Sequence, residues 1–164
     1  MIFVTVGTEK YPFERVVAEV DRLAGAGAFG DREVLIQTGS TALVPQHARH
    51  QPRLSYGEMV ETVARAEVVV AHGGAGSFML CRQQATPLIA VPRLHRLGEN
   101  LDDHQVLFCR RLDQLGLLTA VEDVVGLEAA IRDALDHRPD AEATVERDRL
   151  VEALEETTSS WGLQ

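Results

Sequence analysis

Short apolar runs alternate with amphipathic segments along most of the chain. The apolar runs are rich in β-branched residues and too short for helices, which is typical of buried strands. We predict five strands in this way, at Ile2–Val6, Val34–Gln37, Arg53–Tyr56, Glu67–Ala71 and Pro87–Pro92. A sixth, shorter strand is predicted at Leu117–Ala120.

The segments between the strands carry apolar residues at helical spacing. The clearest example begins at Pro12, where Phe13, Val16 and Val20 recur on one face. Further helices are predicted at Gly57–Arg65, Ala75–Ala85, Asp102–Leu115, Val124–Asp136 and Ala141–Glu156. Two polar stretches, Ala42–Pro52 and Arg93–Asn100, are predicted as loops.

This alternation predicts an α/β fold: one Rossmann-like, three-layer domain over residues 1–164 with a parallel sheet between helices. Right-handed crossovers favour the strand order 3-2-1-4-5, with room for a sixth strand at the end. In such a sheet the strand order reverses between strands one and four. Ligands bind at that point, outside the carboxyl ends of the strands.

The fourth strand leads directly into a glycine-rich turn and a helix. In the run Val68–Ser77, three residues lack a Cβ atom where the backbone turns: Gly73, Gly74 and Gly76. A helix that begins at Ala75 directs unpaired N–H groups and a positive dipole end at this turn, which favours a phosphate. His72 and Ser77 add side-chain donors. A plain packing turn is the alternative, and neither a Walker A loop nor a G-x-G-x-x-G fingerprint is present.

A second turn strengthens the phosphate interpretation. Gly7 and Thr8 follow the first strand, on the other side of the expected crevice. Two separate signals therefore converge on one point of the sheet, which favours a nucleotide or phosphate site there.

Composition and charge narrow the classes of function. The formal net charge of −9 argues against a nucleic-acid-binding protein, which would need a basic face. No apolar run approaches a membrane span and the N-terminus does not resemble a signal peptide, so we expect a cytoplasmic protein. Cys81 and Cys109 lack C-x-x-C spacing and are expected to be reduced. The six histidines show no metal-ligand spacing, so no metal site is predicted.

A polar cluster opens the helix after the fifth strand. Asp102, Asp103, His104 and Gln105 lie at the same edge of the sheet as the glycine turns. Carboxylate and amide groups suit the recognition of sugar hydroxyls. The alternative is that one aspartate only caps the helix.

These motifs together resemble one family. Val4–Thr8, His72–Ser77, Pro87–Pro92 and Asp103–Gln105, in this order, are similar to the glycosyltransferase family 28 C-terminal domain. The similarity is strongest to its short members, such as the soluble subunit of the two-component GlcNAc transferase of dolichol-linked oligosaccharide synthesis and bacterial exopolysaccharide subunits. It extends from residue 1 to about residue 120.

The resemblance implies roles for individual residues. The diphosphate of a UDP-sugar would be held by a turn made of His72, Gly73, Gly74, Ala75, Gly76 and Ser77. Asp103 and Gln105 would contact the donor sugar, and Gly7 with Thr8 would face the phosphates or the acceptor. His72 is the candidate catalytic residue, with phosphate bonding favoured over proton transfer. Leu80 stands where some members carry a ribose-binding glutamate.

The implied function is that of the donor-binding catalytic subunit of a two-component, inverting GT-B enzyme. It would transfer a hexose from a UDP-sugar to a lipid-linked or polysaccharide acceptor, without a cofactor. A membrane-anchored partner subunit would supply the acceptor half and could hold the protein at the inner membrane face. A predicted helix in residues 140–164 either docks that partner or covers its own core. A non-catalytic nucleotide-sugar-binding or regulatory module is the alternative function, and another α/β enzyme ranks last.

Overall fold

Within residues 1–137, six parallel strands form one sheet in the order β3-β2-β1-β4-β5-β6. This computed structural model describes residues 1–137. The strands are β1 Ile2–Thr5, β2 Val34–Gln37, β3 Arg49–Gln51, β4 Val68–His72, β5 Leu88–Val91 and β6 Thr119–Ala120. The predicted order, including the sixth strand, is confirmed, and so is the α/β fold class.

Helices cover both faces of the sheet. They are α1 Glu14–Gly25, α2 Tyr56–Arg65, α3 Ala75–Gln83, α4 His104–Gln114 and α5 Leu127–Asp136, with short 3₁₀ turns at His95–Leu97 and Val124–Gly126. The predicted helix at Ala141–Glu156, and the docking role proposed for residues 140–164, lie outside the described residues.

The two faces of the central strands build two separate cores, because successive side chains of a strand point in opposite directions. Val4 and Val70 pack with α1 and α5 on one face. Phe3 and Val69 pack with α2, α3 and α4 on the other. Strands buried on both faces explain why these sequences read as continuous apolar runs.

The third strand is the main correction to the predicted elements. The sequence pattern predicted it at Arg53–Tyr56, but β3 is Arg49–Gln51, inside the stretch predicted as a loop. All three residues of β3 are exposed, so no apolar pattern marks this edge strand. Ser55 instead caps α2 in a reciprocal capping box with Glu58.

The predicted polar loop after β5 also differs from expectation. Arg93 and Glu99, two charged residues of this stretch, are buried, with exposed fractions of 1% and 7%. They tie this loop to the segment after β1, as described below. Among the helices of residues 1–137, none is long and apolar enough to cross a membrane.

The register of β1 and β4 brings the two glycine turns together. Val4 pairs with Val70 and Thr5 pairs with Ala71, so the two strands end at the same level of the sheet. His72 follows Ala71 directly, and Gly7 follows Thr5 with Val6 between them. The strand order reverses at this point, as the sequence predicted.

Candidate functional site

A crevice of about 440 Å³ opens where β1 and β4 end, between α2 and α3. Five of the sequence-predicted site residues line it: Gly7, Thr8, His72, Gly76 and Ser77. Its other wall is largely apolar and includes Tyr56, Met59 and Leu80. The crevice therefore has a polar end at the glycine turns and an apolar end between the helices.

Helix α3 begins at Ala75, as predicted, with Gly74 as its N-cap. The first hydrogen bond of the helix runs from the Phe78 N–H to the Gly74 carbonyl. The N–H groups of Ala75, Gly76 and Ser77 precede it and have no intrahelical acceptor. The first turn carries no acidic residue. This helix end is therefore suited to an anion.

Three of the glycines are explained by packing within the protein. A Cβ atom on Gly7 would lie 2.9 Å from Cε1 of His72, and one on Gly74 would lie 2.6 Å from Nε2 of the same ring. A Cβ atom on Gly73 would lie 2.5 Å from Sγ of Cys109. Gly7 and Gly74 thus make room for the imidazole between them, and Gly73 lets α4 approach the turn.

Gly76 is different. A Cβ atom there would meet no heavy atom within 4 Å, outside its own helix backbone and neighbours, in the part of the chain that the structure describes. Glycine is unfavourable in a helix, and Gly76 is the second residue of α3. Its missing Cβ atom instead leaves the crevice wall open, where a ligand can approach the backbone closely.

His72 is held in a form suited to donating one hydrogen bond. Burial, and then the positive charge of Arg93, lower the pKa of its imidazole below the ordinary value, while the Thr5 backbone and Glu9 act in the opposite sense. The ring is therefore neutral at pH 7. A neutral imidazole has one N–H donor, which suits a phosphate oxygen.

A buried glutamine supports the turn after β1. The side chain of Gln37 donates to the Gly7 carbonyl at 3.0 Å and accepts from the Thr5 hydroxyl at 2.6 Å. A Cβ atom on Gly39, whose φ is +58°, would lie 2.1 Å from the Gly7 oxygen. The apolar pattern alone places Gln37 at the end of β2 and gives it no role in the site. A polar residue at the carboxyl end of an apolar strand was the signal that could have identified it.

Asp103 and Gln105 do not line this crevice. Gln105 lies behind the glycine turn, with its Cβ 3.2 Å from the position of a Cβ on Gly73, and its side-chain oxygen accepts from the Arg93 N–H at 3.1 Å. One carboxylate oxygen of Asp103 accepts from the His95 N–H at 3.0 Å. Contact of this pair with a donor sugar therefore stays a prediction.

The capping alternative applies to the neighbouring aspartate. Asp103 is the N-cap residue of α4, but its side chain makes no cap hydrogen bond. Asp102 accepts from the His104 N–H at 3.0 Å and lies 2.9 Å from the His104 ring nitrogen. Asp102 and His104 thus hold the start of α4 together.

The glycosyltransferase family 28 C-terminal domain matches residues 1–157. The chain belongs to this family. The match extends beyond residue 120, where the resemblance read from the motifs ended. No curated protein matches the sequence significantly.

Solved structures show the same fold. ALG13, determined by NMR, is 18% identical with a TM-score of 0.60, and the match covers 93% of each chain. The calicheamicin glycosyltransferase CalG4 is 18% identical with a TM-score of 0.58, over 97% of this chain and 39% of CalG4. The Streptomyces sp. SF2575 glycosyltransferase SsfS6, complexed with thymidine diphosphate, is 20% identical with a TM-score of 0.52, over 96% of this chain and 37% of SsfS6.

The chain therefore spans about two fifths of the two larger enzymes and nearly all of ALG13. Its fold corresponds to the C-terminal half of GT-B glycosyltransferases.

Proposed function

We propose that this protein is the donor-binding half of a glycosyltransferase. Its donor substrate is a nucleoside diphosphate sugar, and a UDP-sugar is the donor we propose. The observation that carries the proposal is the free space beside the Gly76 backbone, which lines the polar end of the crevice. The first-turn amides, the neutral imidazole of His72 and the absent Cβ atom meet at one end of the crevice. The diphosphate binds at this end, and the nucleoside extends toward the apolar end.

The apolar end suits the base and the pentose of a nucleoside. No carboxylate stands at position 80 to bind the pentose hydroxyls, because that residue is leucine. Leu80 and Met59 line this part of the crevice, and Leu80 is 9% exposed. Tyr56 is 78% exposed at the rim of the same wall. An aromatic ring in that position offers a face on which a nucleobase can stack.

The reaction we propose is a single displacement. An acceptor hydroxyl attacks the anomeric carbon, a new C–O bond forms with inversion, and the bond to the diphosphate oxygen breaks. The leaving nucleoside diphosphate gains negative charge, which the N–H groups of Ala75–Ser77, the dipole of α3 and His72 stabilise. The proton of the acceptor hydroxyl passes to a base on the acceptor half.

That acceptor half belongs, in this proposal, to a second polypeptide with a membrane anchor. The support is the resemblance to the short members of the family, and the match to ALG13 covers 93% of each chain. A lipid-linked or polysaccharide acceptor would reach the crevice from the partner's side. A module that binds the nucleotide sugar without turnover is the competing function.

Titration calorimetry with UDP, UMP and uridine tests the donor site. Because the helix end and His72 act on the diphosphate, UDP is expected to bind more tightly than UMP, and UMP more tightly than uridine. Equal affinities for all three ligands, or no binding of UDP at millimolar concentration, would contradict the proposal. Sugar transfer on addition of the partner subunit distinguishes a transferase from a binding module.

A further inference from the structure

Arg93 is a buried cation immediately behind the polar end of the crevice. It follows β5 after Pro92, its exposed fraction is 1%, and it is the bulkiest of the fully buried side chains in residues 1–137. Burial lowers the pKa of its guanidinium, because a charged group loses hydration inside the protein. Such a group has to be compensated by its surroundings.

Most of the compensation comes from backbone carbonyls of the segment after β1. The guanidinium donates to the Val6 carbonyl at 2.7 Å and to the Tyr11 carbonyl, also at 2.7 Å. It lies 4.6 Å from the centre of the Phe13 ring, in cation–π contact. Since Val6 and Tyr11 flank residues 7–10, one side chain holds both ends of the loop that contains Gly7 and Thr8.

The nearby carboxylate does not pair directly with Arg93. The carboxylate of Glu99 accepts two hydrogen bonds from the Arg15 guanidinium, at 2.8 and 3.1 Å, and one from the Leu94 N–H at 2.9 Å. Arg93 meets Glu99 only at its backbone carbonyl, at 3.2 Å. Two guanidinium groups thus lie near one buried carboxylate, which hydrogen-bonds to Arg15 and leaves the charge of Arg93 without a directly paired carboxylate.

Resting on the proposed donor site, we infer that Arg93 is a positioning residue for the diphosphate. It clamps the loop of residues 7–10 by bonding the flanking carbonyls of Val6 and Tyr11. Its buried charge adds to the positive potential at the polar end of the crevice. Arg93 acts through the loop and through space, since the crevice lining does not include it. None of the sequence motifs pointed to this residue.

The charge of Arg93 acts on His72, which lines the crevice. Among the causes of the low pKa of His72, it is second only to burial. The other charged group acting on that ring is Glu9, which is exposed on the clamped loop and opposes the effect. A charge that acts on His72 also acts on an anion bound beside it.

Two variants separate the clamp from the charge. Arg93→Met removes both, whereas Arg93→Lys keeps the charge but lacks the two separate nitrogens with which the guanidinium bonds Val6 and Tyr11. Arg96→Met is the matched control, an exposed arginine three residues away. For each protein, UDP affinity is measured by calorimetry. The pKa of His72 and the amide exchange of residues 7–11 are measured by NMR on the unliganded protein.

We expect Arg93→Met to raise the pKa of His72 and to weaken UDP binding by about tenfold, the size expected for one charge near a partly buried site. Arg93→Lys should leave the pKa of His72 near its wild-type value, speed amide exchange in the loop and weaken UDP binding less. Arg96→Met should change none of these.

The inference is overturned if folded Arg93→Met keeps the wild-type pKa of His72 and wild-type UDP affinity. Should Arg93→Met fail to fold, Arg93→Lys decides: unchanged loop exchange with unchanged UDP affinity overturns the inference, and faster exchange with weaker binding supports it. A wild-type protein that does not bind UDP refutes the proposed function instead. In that case the two NMR measurements still decide whether Arg93 fixes the loop and the potential at His72.

Discussion

Replacing Gly76 with alanine separates a packing role of the glycine turn from a ligand-binding role. The added methyl group meets no heavy atom within 4 Å in the described protein, outside its own helix backbone and neighbours. Gly76 is the second residue of α3 and faces the crevice. The substitution is therefore free of internal clashes, and its effects on stability and on binding can be predicted separately.

The two effects have opposite signs. Alanine is favoured over glycine in a helix by about 0.5–1 kcal/mol, so the unliganded variant should be slightly more stable than wild type. In a protein of this size that corresponds to a melting temperature about 1–4 °C higher. In the complex the methyl group intrudes where the diphosphate approaches the backbone. Overpacking of this kind costs about 1–3 kcal/mol, which weakens UDP binding about 5- to 150-fold.

Thermal unfolding and UDP calorimetry measure both quantities on the same samples. Gly57→Ala is the matched control, because Gly57 is also the second residue of its helix, also has open space at its Cβ position, and does not line the crevice. It should gain similar stability and bind UDP like wild type. A Gly76→Ala variant with unchanged UDP affinity would refute the claim that a ligand approaches this helix end.

Three further results follow from the surroundings of single side chains. The pKa of His72 is lowered on folding, so the unfolded state takes up its proton first as the pH falls below about 6.5. The free energy of unfolding, from urea titrations, should therefore fall between pH 7.5 and 5.5, and less so in His72→Gln. Gly73→Ala should lower the free energy of unfolding by about 1–3 kcal/mol, because the added Cβ would lie 2.5 Å from Sγ of Cys109. Cys109→Ala should partly rescue this loss. Burial raises the pKa of Cys81 and Cys109 to about 12, so a thiol reagent at pH 8 should label neither until urea unfolds the protein.

The sheet and the glycine turn could be predicted from the sequence because their signals are local. Buried strands such as Val68–His72 read as continuous apolar runs, and the start of α3 follows its glycines directly. The edge strand β3 gave no such signal, since its side chains are all exposed. The spacing of Ser55 and Glu58 is that of a capping box, a local signal that α2 begins at Tyr56 and that no strand extends over Arg53–Tyr56.

The polar interior of the site could not be read from local patterns. Arg93 is buried because carbonyls about 80 residues earlier in the chain surround it, and Glu99 because Arg15 reaches it from α1. Both residues stand in a stretch whose composition is that of a surface loop. Contacts of such sequence separation depend on the folded topology, and a single sequence does not reveal them.

An NMR titration of the ¹⁵N-labelled protein with UDP tests the donor site most directly. The account predicts that the largest amide shifts occur at the first turn of α3, in residues 75–77, and in the turn at Gly7 and Thr8, while α5 is unaffected. A second cavity of about 400 Å³, lined by Arg49, Glu58 and Arg65 among others, provides an internal comparison. Shifts concentrated there, or no shifts at saturating UDP, would contradict a diphosphate site at the helix end.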